Sequence, residues 1–520
     1  MTEVNQQRIA KNTLLLYVRM VVVMLVGLYT SRVIIDSLGQ EHYGVYDAVG
    51  GIVLMASFFS ATMSAACQRF YSYEMGKGNI DRLKTVFSIS LSVYFILAAF
   101  VILLAETIGY WWLINKMDVA GHTYAARWVY QFSILAFVLM ILRMPYNGMI
   151  VAKEKMKVYA YLSLFEAFAT LAIAVTLAHS PDDKDNRLIL YSGLMAGIQL
   201  MTSLFYLCYC RLFYAECKFR FVMDKVIIKD IFSYAGWNMI GSLADVFKNS
   251  GVNILLNVTF GPLVNAARGV AYKVFNTITQ LNTNFFTAVR PQIYKSYAAG
   301  NIKDVHKLVC QGTKISFFLL FLLALPILIE TDFILPIWLR GRNVPEYAYI
   351  LTKLLVIEGL LNCFTEPLAS AVQATGNIRN YKIVLGGTLL LILPISYLGV
   401  KYAGFSPASI FMTSIIVTII TQIERIWFVK RQVGFDIWNF LKTVILPMAV
   451  VTVICFSLSL LVKEWMLHVE FSKEWMGHAI VIAASMLIEC ITVYLIGVNA
   501  TERKQILNII RNFLKKENKD

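Results

Sequence analysis

The chain carries about fourteen apolar runs, each close to the ~20 residues that an α-helix needs to cross the hydrocarbon of a bilayer. They fall at 13–35, 43–66, 85–110, 124–149, 158–178, 188–213, 230–258, 263–289, 308–330, 347–373, 381–400, 406–428, 438–462 and 478–498. In lipid every backbone amide must be satisfied within its own segment, so runs of this length predict helices. Composition agrees, because 58% of the 520 residues are hydrophobic and only 15% are charged. The mean hydropathy of +0.64 lies far above that of a soluble enzyme. The first run is too long for a removable signal peptide and lacks a small-residue cleavage site. The expected fold class is therefore all-α and integral to the membrane.

The formal net charge of +15 must be read by location, since basic residues of membrane proteins collect at the cytoplasmic face. One set of alternating loops holds Arg69, Lys77, Arg82 and Lys84; Lys153, Lys155 and Lys157; Arg211, Lys218, Arg220, Lys225 and Lys229; Arg290, Lys295, Lys303 and Lys307; Arg379 and Lys382; and Arg425, Lys430, Arg431 and Lys442. With the termini this set has roughly 30 basic residues, against roughly 8 in the opposite loops, such as Lys116, Lys184, Arg340 and Lys401. Both termini are expected in the cytoplasm, and no nucleic-acid partner is implied. The basic tail 501–520 has an amphipathic pattern that suits either a helix lying on an anionic leaflet or a solvated helical tail.

The chain also repeats itself. Gly39 and Gly261, Gly78 and Gly300, Pro145 and Pro367, Ala152 and Ala374, and Tyr159 and Tyr381 are each 222 residues apart. One shared offset over such a span marks an internal duplication. A period of six helices returns the chain to the same side, which implies parallel repeats related by an axis along the membrane normal. The expected organisation is a six-helix lobe at 1–213, a cytoplasmic linker at 214–229 and a second six-helix lobe at 230–428. Transmembrane helices 13 and 14 (429–500) and the tail (501–520) then follow. In such architectures the site lies between the repeats.

The segments "TSRVIIDSLGQEHYGVYDAVGGIV" (30–53), "RFYSYEMGKGN" (69–79), "PYNGMIVAKEKMKVYAYLSLFEA" (145–167) and "PLASAVQATGNIRNYKIV" (367–384) carry a family resemblance. The chain resembles bacterial polysaccharide flippases, the Wzx-like branch of the multidrug/oligosaccharidyl-lipid/polysaccharide (MOP) transporter superfamily, over its whole length. The resemblance implies a MATE/MurJ-like pair of six-helix lobes in the inner membrane. It also implies alternating access that moves an undecaprenyl-diphosphate-linked oligosaccharide from the cytoplasmic to the periplasmic leaflet, for O-antigen or other surface polysaccharide. Membrane lipids and the polysaccharide polymerase machinery are the partners that accompany this reading.

Intramembrane charges supply the candidate site. Each costs ~2.5–3.5 kcal/mol on insertion scales and usually faces a bundle interior or a water-filled cavity. Arg19, Arg143, Lys248 and Lys273 lie deep in predicted helices, and with Arg268 they form a cationic set suited to a diphosphate. Arg268 lies near enough to a helix end to snorkel, as do Arg32 and Arg127. Among the acids, Glu166, Glu358, Asp245 and Asp47 are candidates for coupling to H+ or Na+. Asp245 and Lys248 are expected to pair with each other at i,i+3. Tyr161, Asn238, Asn276 and Gln280 are candidate sugar contacts.

Neither a cofactor nor a metal site is read from the sequence. The eight cysteines have no zinc or disulfide spacing, and the six histidines form no H-x-x-x-H pair. No P-loop, H-E-x-x-H or G-x-S-x-G supports an enzyme. The alternatives are a lipid II flippase of the MurJ type, a cation-coupled multidrug exporter of the MATE type, and, from another class, a membrane glycosyl or acyl transferase.

Overall fold

The computed structural model of the chain describes residues 3–54, 57–115, 121–180, 183–222, 224–339, 344–469, 474–499 and 502–503, and all regular structure among them is helical. The elements are α1 (Glu3–Leu54), α2 (Ser57–Lys77), α3 (Ile80–Leu104), α4 (Tyr110–Asn115), α5 (Thr123–Ala152), α6 (Met156–Ala178), α7 (Lys184–Phe213), α8 (Lys225–Phe260), α9 (Pro262–Ala298) and α10 (Ile302–Ile329). They continue with α11 (Thr331–Trp338), α12 (Ala348–Asn362), α13 (Thr365–Thr375), α14 (Arg379–Leu390), α15 (Ile392–Ala403), α16 (Pro407–Val433), α17 (Ile437–Phe440), α18 (Leu446–Leu467) and α19 (Glu474–Thr492).

Local chemistry sets many of the boundaries. Asn79, Asp183, Ser406 and Asp436 precede helices and accept backbone N–H bonds through their side chains, satisfying donors that have no partner in the first turn. Gly376, Gly404 and Gly434 end α13, α15 and α16 in the left-handed conformation.

Eleven helical stretches among the described residues are long and apolar enough to cross a bilayer. The three expected spans outside this set are 43–66, 230–258 and 263–289. The first falls where α1 gives way to α2, and the other two form α8 and α9, helices of 36 and 37 residues whose polar side chains lower their hydropathy. Polarity concentrated in two long helices of an otherwise apolar protein points toward water or ligand rather than lipid.

The chain divides into two compact units, one of Arg8–Met239 and one that begins at Ile240, so the division falls within α8. In the first unit α5 packs on α2, α3 and α7. Its centre holds the buried rings of Tyr71, Phe87 and Tyr94, with Phe87 also edge-on to Tyr146 at 5.4 Å. In the second unit α8, α9, α12 and α16 enclose a cluster with fully buried Leu256, Ala267, Ala271, Leu351 and Ile410. The alanines give α9 a smooth face on which α12 can approach closely, a common device where dispersion rather than water expulsion drives helix association. Helices α18 and α19 pack on each other and on α10.

The repeat is visible in the backbone. Gly39 (φ 79°, ψ 162°) interrupts α1, and Gly261 (φ 81°, ψ −179°) separates α8 from α9. Both occupy a region open essentially to glycine alone. Gly78 and Gly300 share positive φ as well, and Glu154, the one described non-glycine residue with positive φ (59°), stands 222 residues before Gly376 (φ 83°).

Candidate functional site

In the first unit a charged cluster forms around α6. Arg19 of α1 donates from Nε to Ser163 Oγ at 2.5 Å, and its guanidinium lies 4.6 Å from the Tyr159 ring centroid. Arg143 of α5 donates from Nη1 to Glu166 Oε1 at 2.5 Å and to Thr202 Oγ1 at 2.9 Å. Tyr206 adds its ring 5.8 Å from the Arg143 guanidinium. Glu166 pairs with Arg143 while Arg19 bonds a hydroxyl, which leaves a positive excess among these contacts. Glu166, a candidate for ion coupling, is held by Arg143. The side chain of Asp47 lies outside the described residues.

The second unit holds a larger network. Lys248 of α8 bonds Glu358 Oε1 at 2.7 Å, and the same oxygen accepts from Ser414 at 3.0 Å and Thr418 at 3.3 Å. The expected Asp245–Lys248 pair therefore does not form. Glu358 on α12 offers a buried, hydrogen-bonded oxygen, whereas Asp245, one turn away on α8, is exposed. Asp245 instead has Lys382, Arg425 and Lys248 as its charged neighbours. Arg268 is held against α8. Its guanidinium bonds Asn253 Oδ1 at 3.1 Å and the Asn249 carbonyl at 3.0 Å and stacks 4.2 Å from the Tyr272 centroid.

Sequence reasoning missed three cations of this network, Arg290, Lys382 and Arg425, by assigning them to cytoplasmic loops. Arg290 bonds Glu366, and Arg425 bonds the hydroxyl of buried Tyr381. Lys382 lies 6.0 Å from the Tyr381 centroid, with Arg425, Asp245, Glu366 and Arg290 as its charged neighbours. Five cations (Lys248, Arg268, Arg290, Lys382 and Arg425) thus meet three carboxylates (Asp245, Glu358 and Glu366). The 222-residue offset between Tyr159 and Tyr381 was the available signal, because each ring lies beside an arginine.

Helix α9 adds a polar face. Lys273, Asn276, Thr277, Gln280 and Thr283 are exposed at helical spacing, while Ala271, Ile278, Phe285 and Phe286 on the opposite side are buried. This gives Lys273 a different setting from the paired Lys248. Of the candidate sugar contacts, Asn276 and Gln280 lie on this face, Tyr161 is exposed and Asn238 is buried.

A separate basic cavity of about 370 Å³ opens where α10 meets the segments after α16 and α19, lined by Lys303, His306, Lys307, Lys314, Asn439 and Glu502 among others. Lys314, almost fully buried, bonds Glu502 at 2.7 Å. The amphipathic pattern of the tail lies largely outside the described residues.

Residues 228–398 match the MatE family model. No curated protein matches the chain significantly. Among solved structures the chain is similar to a mutant MATE protein at TM-score 0.69 and 13% identity, with 84% of this chain and 99% of that one covered. It is similar to an outward-facing MATE multidrug-resistance transporter of the MOP superfamily at TM-score 0.68 and 14% identity, covering 84% and 98%. A MOP superfamily transporter from Pyrococcus furiosus, for which reverse polarity of the binding pocket suggests a different function, matches at TM-score 0.67 and 14% identity, again covering 84% and 98%. The chain has the fold of MATE transporters, and its match to the MatE model runs from α8 to α15.

Proposed function

We propose that this protein is a flippase of the MATE fold. It carries an undecaprenyl-diphosphate-linked oligosaccharide across the bacterial inner membrane by alternating access, from the cytoplasmic to the periplasmic leaflet. The observation that carries this reading is the residual positive charge. After internal pairing, the Arg19–Arg143–Glu166 cluster keeps one guanidinium in excess and the network of the second unit keeps two cations, with Lys273 exposed on α9. A diphosphate cannot enter hydrocarbon bare, whereas Arg forks and Lys charges replace its hydration. The α9 polar face gives sugar hydroxyls hydrogen-bonding partners while the polyprenyl chain stays in lipid. The basic cavity at α10 matches the phosphate chemistry of anionic lipid headgroups.

The MatE match and the MATE structures favour a second reading, a cation-coupled multidrug exporter. Such a site would favour acids and aromatics for cationic drugs, so the two readings differ in the sign of the cargo. A lipid II flippase shares the diphosphate and differs in the glycan. Neither reading assigns bond-making chemistry to the chain.

The test is mass spectrometry of polyprenyl-linked glycans, with leaflet assignment, in cells depleted of the protein and complemented with wild type or Lys273→Glu. Complete oligosaccharide on undecaprenyl diphosphate should accumulate in the cytoplasmic leaflet and surface polysaccharide should be lost, with Lys273→Glu failing to restore either. Accumulation of lipid II would identify the other flippase. Normal intermediates with retained cationic dyes would establish the exporter.

A further inference from the structure

Two imidazoles and a carboxylate from three distant parts of the chain converge in the unit Arg8–Met239. His42 follows the Gly39 break in α1, His122 is the residue before α5, and Asp185 lies in the first turn of α7. Asp185 Oδ1 is 3.0 Å from His42 Nε2 and 2.7 Å from His122 Nδ1, and the two rings are 4.2 Å apart between centroids. Their donor atoms all lie within 4.8 Å of one another, the only such His/Cys/Asp/Glu group among the described residues. His42 is buried at 7% exposure, while Asp185 is 40% exposed. The cluster is therefore walled on one side and open to solvent on the other.

This donor set suits one kind of ion. Zinc-class cations bind neutral imidazole nitrogen and carboxylate oxygen at about 2.0–2.2 Å, which places tetrahedral donors about 3.3–3.5 Å apart. The imidazole–carboxylate spacings of 3.0 and 2.7 Å lie slightly below that value, so small side-chain rotations open them to it. Ca2+ and Mg2+ prefer all-oxygen shells, which this cluster does not offer. Neighbouring charge is mixed. Lys184 and Arg187 stand near Asp185, but Arg187 is turned to the carbonyls of Ser37 and Ser180, and Asp183 caps the same helix.

We propose that His42, His122 and Asp185 form a divalent transition-metal site of the zinc class, with a solvent-facing fourth position. Occupied, it ties α1 beyond its glycine break to the starts of α5 and α7. This rests on no assumption about the cargo.

The experiment is zinc titration of the full-length protein, without a histidine tag and stripped with chelator, in detergent or nanodiscs. Calorimetry and thermal unfolding supply the readouts. The wild type should bind one Zn2+ per chain and melt at higher temperature when loaded, and Mg2+ should do neither. His42→Gln and Asp185→Asn should weaken Zn2+ binding by about tenfold or more and lose the thermal shift while keeping the metal-free melting temperature. Absence of saturable binding, or equal binding by the variants, overturns the site and leaves a hydrogen-bonded cluster. Should a variant not fold, Co2+ bound to the wild type reads the same question. Visible ligand-field bands of a four-coordinate nitrogen/oxygen site support the proposal, and the hexa-aqua spectrum refutes it.

Discussion

The two units share backbone features at one offset and differ in the chemistry built on them. In each, a glycine in the region closed to other residues ends the first long helix, at Gly39 or Gly261. In each, a tyrosine at the matched position stands beside an arginine, Tyr159 with Arg19 and Tyr381 with Arg425. Yet the cluster beside Tyr159 holds two arginines and one glutamate, whereas the one beside Tyr381 belongs to a network of five cations and three acids. The turns, whose geometry only a few residues can satisfy, match between the units at one offset, while the charges around them differ.

That comparison can be broken in several ways. The largest effect is expected at Lys248, because its loss strands Glu358, only 4% exposed. Lys248→Ala should cost about 3–5 kcal/mol in unfolding experiments in detergent. Arg143→Ala should cost only about 1–2 kcal/mol, because the side chain of its partner Glu166 is 28% exposed. Equal costs would show that the two networks do not differ in depth.

Next come the paired glycines. Gly39→Ala and Gly261→Ala should each destabilise by about 1–3 kcal/mol through backbone strain, and at Gly261 no neighbour crowds the added carbon. A tolerant Gly261 with a sensitive Gly39 would end the argument for equivalent turns. A smaller loss, about 1–2 kcal/mol, is expected for Gly376→Ala, which imposes on the second unit the left-handed side chain that the first already tolerates at Glu154.

The smallest effect is a pH dependence confined to the first unit. Glu216, in the connection after α7, is largely buried, which opposes its ionisation. A 2.7 Å bond from Lys153 nevertheless holds its carboxyl below the usual value of 4.5. A depressed folded-state value stabilises above pH 4.5, and that contribution fades as pH falls through the folded value. Melting temperatures between pH 7 and pH 3 should fall more steeply for wild type than for Glu216→Gln. Parallel curves would mean that the pair contributes nothing.

Much of the scaffold is legible in the sequence because lipid imposes a strict rule. A segment without water must be helical and about 20 residues long, so apolar runs mark the spans. The polarity that hides α8 and α9 from a hydropathy criterion singles them out for function. The candidate site was less legible. Arg143, Glu166, Lys248 and Glu358 were each found singly, but the pairs they form join residues 23 and 110 positions apart, and no spacing rule reaches so far. Asp245 and Lys248 had the spacing of a pair, yet buried Glu358, with Ser414 and Thr418 beside it, offered the lysine a better-organised partner. His42, His122 and Asp185 lie too far apart in the chain to read as a motif.

By itself, then, the sequence determined the medium of this protein, its helices and its internal repeat, because hydrophobic length and glycine geometry act locally along the chain. Which charge meets which was decided only in the tertiary structure. Coulombic attraction and hydrogen bonding depend on distance through space and on burial, and folding sets both.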